Sequence, residues 1–146
     1  MKRCRHLRRK VFMLALGAGL SVSVAADRAP TIVVVANKNS PLTALTGEQV
    51  ADLYLGRGPG IPGVVAIDAR NEKLRDLFYH RVADMSLVSV RAYWAKRVFS
   101  GRGTPPASAT LEEILHMLQT DRRVITYLPA RDVPLNSRIL YRMGGE

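Results

Sequence analysis

An α/β domain with a small mixed sheet is the fold class this sequence predicts. Three observations predict it. Apolar, β-branched runs stand at TIVVVAN (31–37), VVAID (64–68) and VITYL (124–128). Between them lie stretches whose apolar residues recur at helical spacing, with capping residues at their starts. Alternation of the two element types is the pattern of strands paired in one sheet and covered by helices. There is no internal repeat.

The elements follow in order. Asp27 to Pro30 reads as a linker, and TIVVVAN as a buried strand closed by Asn37. TGEQVADLYLG (46–56) is a short helix. Thr46 and Gln49 are spaced as a capping box, Val50, Leu53 and Tyr54 share a face, and Gly56 stands where a left-handed cap is wanted. RGPGIPG is a turn-rich loop before the strand VVAID. From Asn71, a helix carries Leu74, Leu77, Phe78, Val82 and Met85, and Ser86 caps a further helix bearing Val90, Tyr93, Trp94 and Val98. SGRGTPP (100–106) ends it. ATLEEILHMLQ (109–119) has a second capping box in Thr110 and Glu113, with Leu111, Ile114, Leu115 and Leu118 as its expected buried stripe. VITYL and SRILY (137–141) complete the set of strands.

The N-terminus is read apart. MKRCRHLRRK is basic, residues 11–24 are apolar or small, and Val24-Ala25-Ala26 fits small-residue cleavage after Ala25 or Ala26. Together these are the three parts of a secretory signal peptide, expected over residues 1–26, with one domain over 27–146. Arg8-Arg9 hints at a twin-arginine signal, but the residues after it do not follow that pattern closely. The apolar run is short for a membrane span, so contact with the membrane is expected only through the export signal.

The full chain has a formal charge of +10. Six of its 22 Lys and Arg lie in the first ten positions and all 12 acidic residues lie from Asp27 on, so residues 27–146 carry 16 cations against 12 anions, a net +4. That is an ordinary basic surface and does not argue for a nucleic-acid partner. The one cysteine, Cys4, falls within the signal, so the mature domain is expected to fold without disulfides, which its size permits.

One loop invites chemistry. IDARNEKLRD (67–76) leaves a strand and opens a helix, where free backbone N–H groups and the helix dipole attract an anion. Asp68, Arg70, Asn71, Lys73 and Arg75 are the candidate ligand-binding residues. Two readings stay open. Arg70 and Lys73 hold an oxyanion at the helix N-terminus; or Asn71 or Asp68 caps the helix, Glu72 favours its positive end, and Arg75 pairs with Asp76 or Glu72.

Elsewhere the chemistry is sparse. His80 and His116 lie on different predicted helices without ligand spacing, so no metal is expected. No serine stands in a Gly-x-Ser-x-Gly elbow and no acid–base pair is evident, so neither an enzyme nor a cofactor is expected. Arg91, Lys96, Arg97 and Arg102 crowd the Tyr93-Trp94 helix; they read as the solvated side of an amphipathic helix.

The succession LTGEQVADLYLGRG, VVAID, RDLFYHRV, VRAYWAKRVFSGRGTPP and VITYLPA, spread over residues 31–141, resembles the periplasmic phosphate-binding proteins of phosphate ABC transporters. It is more similar still to their short, single-lobe relatives. The blocks that carry the resemblance are Tyr54-Leu55-Gly56, Tyr93-Trp94, and Phe99-Ser100-Gly101-Arg102-Gly103 followed by Pro105-Pro106. The resemblance implies one lobe of a type II periplasmic-binding-protein-like fold, in a periplasmic or secreted solute-binding-like protein. Its implied partners are phosphate or another small oxyanion, and an envelope protein or ABC transporter.

The sequence departs from that family at the loop. Full-length members carry an arginine and then Gly-Ser-Gly-Thr there, and the short relatives a Gly-Ser pair; this chain has Asn71-Glu72-Lys73-Leu74. Thr126 replaces a common glycine, and Ser89 a glutamine usual in the short relatives. The binding loop is thus eroded, and the alternative is an envelope protein–protein interaction module that has lost its ligand.

Overall fold

The structure is a computed structural model that describes residues 29–144. The signal peptide expected over residues 1–26, Cys4 included, lies outside the described residues. Nine principal elements follow in the chain: β1 (Ile32–Asn37), α1 (Gly47–Tyr54), β2 (Val65–Ala69), α2 (Glu72–Ala83), α3 (Leu87–Phe99), β3 (Ala107–Ala109), α4 (Leu111–Thr120), β4 (Val124–Pro129) and β5 (Ser137–Arg142). A 3₁₀ turn, Ala130–Asp132, follows β4.

The strands form one mixed sheet in the order β3-β2-β4-β1-β5. β2 runs parallel to β3 and β4, and β1 runs antiparallel to β4 and β5. Every residue of β1 is buried. Its alternation explains this: Ile32, Val34 and Ala36 face a layer made by α1, α2 and α3, whereas Val33 and Val35 face α4. A strand covered on both sides must be apolar throughout, which is why TIVVVAN shows no polar alternation. Each such side chain contributes roughly 1.5–3 kcal/mol relative to exposure.

The helix starts agree with the sequence reading. Thr46, Asn71, Ser86 and Thr110 are the N-caps, and both expected capping boxes form. Gly56 adopts the left-handed conformation at φ +59°. Three details differ. β3 was not expected; it forms because the chain leaving α3 lies along the free edge of β2, in register from Ile67↔Ala107 to Ala69↔Ala109. Leu111, expected to be buried, is 48% exposed, and Val98, at the end of α3, is 50% exposed. Both sit in terminal turns of their helices. Met85 lies past the end of α2, which terminates at a left-handed Asp84.

Candidate functional site

The loop between β2 and α2 divides into a buried half and an exposed half. Asp68, the penultimate residue of β2, is 1% exposed. A carboxylate at that depth is tolerable only when its oxygens are met by donors. Tyr127 from β4 donates to Oδ1, and Tyr79 from α2 donates to Oδ2 at 3.1 Å. Arg75 Nε lies 3.0 Å from Oδ2, an ion pair by distance whose N–H is not aimed along the contact. The Tyr127 hydroxyl accepts in turn from the amide of Ala69.

Aromatic packing seals this cluster. Phe78 stacks on Tyr127 at 3.6 Å between centroids and meets Tyr54 edge-on at 4.7 Å. The Tyr54 and Thr126 hydroxyls both donate to the Ile67 carbonyl, each at 3.1 Å. Thr126 is therefore satisfied by the backbone of β2. Burial raises the Asp68 pKa, opposed by the Tyr127 hydrogen bond, the Arg75 charge and the Tyr79 hydrogen bond. Burial and the Asp68 charge raise both tyrosines, so their hydroxyls remain donors.

The exposed half holds the other candidates. Asn71 caps α2 through Oδ1, which accepts from the Leu74 amide at 3.0 Å. Arg70 reaches α4, 3.4 Å from Glu113, while its amide donates to the Ala109 carbonyl of β3. Glu72 pairs with Arg91 of α3, and Asp76 accepts from the amide of Leu87. The expected surface pairing of Arg75 with Asp76 or Glu72 therefore does not form. Arg75 points to the sheet and Asp68, and its former partners are taken by α3.

Lys73 is exposed beside a cleft of about 370 Å³. Asn71, Leu74, Leu111, Arg131 and Asp132 share its walls with Lys73. The cleft lies beyond the carboxyl ends of β2 and β4, where ligands bind in sheets of this kind. Helix geometry leaves the first amides of α2 without partners inside the helix; Asn71 takes that of Leu74, and those of Glu72 and Lys73 remain. Sequence reasoning missed Arg131. Its signal was a cation two residues past a strand end, in the stretch after VITYLP.

The five expected residues are thus close in sequence but split in space. Asp68 and Arg75 are joined below the surface, Asn71 caps, Arg70 leans to α4, and Lys73 faces the cleft with Arg131. Among the described residues no cluster of three or more His, Cys, Asp or Glu is placed to hold a metal, and no helix is long and apolar enough to cross a membrane.

Comparison with known proteins places this geometry in a fold. A crystal structure from Clostridium perfringens, assigned as a phosphate ABC transporter substrate-binding protein and solved with bound phosphate, matches with a TM-score of 0.54 at 19% identity. The match covers 76% of this chain and 44% of that one. An ABC-type phosphate transport receptor from Vibrio cholerae matches with a TM-score of 0.49 at 11% identity, over 76% of this chain and 45% of that one, too low to build on. The chain therefore spans under half the length of these proteins, and its fold is that of a single periplasmic-binding-protein-like lobe. No protein-family model matches the sequence, and no curated protein does.

Proposed function

We propose that this chain is an exported, one-lobe solute-binding-like protein that takes a small oxyanion of the phosphate class in the cleft at the start of α2. One observation carries the reading. Lys73, the open amides of α2 and Arg131, whose Nε lies 3.8 Å from Asp132 Oδ1, meet at the carboxyl ends of β2 and β4, in a lobe alike in fold to part of a protein solved with phosphate. Residues 1–26 direct export to the periplasm, where an envelope protein or ABC transporter is the partner. Binding, not catalysis, is the role.

A single open lobe does not close over its ligand, so water reaches the site and affinity is modest. That same geometry favours a second reading. Asp68, Arg70, Asn71 and Arg75 are already engaged with protein partners, as in a lobe that has lost its ligand and kept its scaffold. Thermal unfolding distinguishes the two. With phosphate at about 100 times its dissociation constant the fold gains about 2.7 kcal/mol, a shift on the order of 10 °C. Sulfate and chloride at matched ionic strength serve as controls. A phosphate-specific shift that Lys73→Ala and Arg131→Ala both reduce supports the cleft. Equal shifts with every salt, or none, leave the interaction module.

A further inference from the structure

α3 is buried on one side by Leu87, Val90 and Trp94. On its opposite side Val88, Ala92, Ala95 and Phe99 are exposed, Val88 at 74% and Phe99 at 96%. Their spacing of four, three and four residues puts them within an arc of about 60°. This is the alternating a/d register of a helix-pairing seam, with two alanines at its centre that let another backbone come close. None of these residues lines the cleft at α2.

The charges that α3 itself places beside the seam are of one sign. In that register Arg91 falls at a g position and Lys96 at an e position, one on each side, and α3 contains no acidic residue. Arg102 follows just past the helix end. Arg91 is paired with Glu72, whereas Lys96 and Arg102 have no carboxylate partner among the described residues. A parallel second copy of this seam would set Arg91 against Lys96, cation against cation. The stripe is also narrow: membrane-surface helices present a broad apolar face of large side chains, and here the central residues are alanines.

We infer that the outer face of α3 docks an amphipathic helix of a protein partner, apolar along its seam and acidic along its flanks. Val88 and Phe99 anchor the two ends, and Lys96 and Arg102 select the charge. The surface is independent of the oxyanion cleft, so either can fail without the other.

The test uses the full chain and two synthetic helical peptides with leucine at the seam positions, one with glutamate and one with lysine at the flanks. Their like flanking charges keep each peptide from pairing with itself. Fluorescence anisotropy is expected to show saturable binding of the acidic peptide, at least about tenfold tighter than the basic one and weakened by salt. Phe99→Ser is expected to weaken it, and Lys96→Glu to reverse the preference; both sites are exposed, and unchanged thermal unfolding checks the fold. Equal binding of the two peptides, or binding of neither, would overturn the inference. So would concentration-dependent dimerisation abolished by Phe99→Ser, or adhesion to anionic lipid vesicles that Phe99→Ser removes while peptide binding stays unchanged.

Discussion

Tyr79 donates its hydroxyl hydrogen to Asp68 Oδ2 at 3.1 Å across the buried space between α2 and β2. With Tyr127 on the other oxygen, it turns a residue expected at a ligand site into part of the core. The loop that leaves β2 is therefore anchored from beneath, and its exposed half can change without loosening the sheet.

Tyr79→Phe leaves one carboxylate oxygen short of a donor at no cost in volume. A loss of about 1–3 kcal/mol is expected, because a buried acceptor keeps its desolvation penalty when its partner goes. Urea unfolding measures it. An unchanged midpoint would mean that Arg75 re-aims and replaces the hydroxyl.

Asp68 also leaves a signature in pH. Its folded pKa lies above the ordinary 3.8, burial being the largest cause. Between 3.8 and that higher folded value the native state holds more protons than the unfolded one. Stability from this group is therefore highest at low pH and falls as pH rises through that window. The surface carboxylates Glu113 and Asp121 are shifted down, Asp121 to about 2 by its hydrogen bonds with Arg123, and act in the opposite sense. Subtracting the Asp68→Asn curve from that of the parent cancels them. The difference is expected to fall with rising pH and then level off. A rising difference would reverse the assignment.

Asn71 separates capping from binding. Asn71→Ala is expected to cost about 1 kcal/mol through loss of the α2 cap, and Asn71→Ser to restore most of it. Denaturant unfolding with and without phosphate provides the readout. If the residue only caps, the phosphate response of Asn71→Ser equals that of the parent.

Gly56 carries two constraints that a pair of variants can separate. Its φ is +59°, and a Cβ there would meet Trp94 Cη2 at 2.8 Å. Gly58 has a similar φ of +66° with nothing within 4 Å. Gly58→Ala is expected to lose the backbone component alone, about 1–2 kcal/mol, and Gly56→Ala clearly more. Equal losses in calorimetry would mean that the Trp94 ring moves aside.

Local signals made most of the fold legible. Thr46 with Gln49 and Thr110 with Glu113 mark helix starts by chemistry confined to four residues, and both boxes form as spaced. The continuous apolar run of β1 announced burial on both faces. β3 carried no such signal, since Ala-Ser-Ala has neither β-branching nor a turn; it is a strand because β2 offers an edge. The site was legible in outline only. Asp68 and Arg75 stood out as polar residues in a strand–helix loop. Their burial depends on Tyr127, distant in sequence, and on which face of α2 Tyr79 takes. Arg131 enters the cleft for the same reason, through the adjacency of β4 and β2.

The place of β1 in the sheet has a temporal meaning. Among the described residues this strand comes first, yet its neighbours β4 and β5 come last, with Ile32 opposite Pro129 and Asn37 opposite Ser137. Pairings so distant in sequence form late, because the loop they close must be paid for before the contacts repay it. Until residues 124–142 emerge, the most apolar strand has no partners and the sheet has no centre. A growing chain that has exposed only residues 32–123 therefore holds its helices and parallel strands without the strand that joins them, and the sheet closes end to beginning.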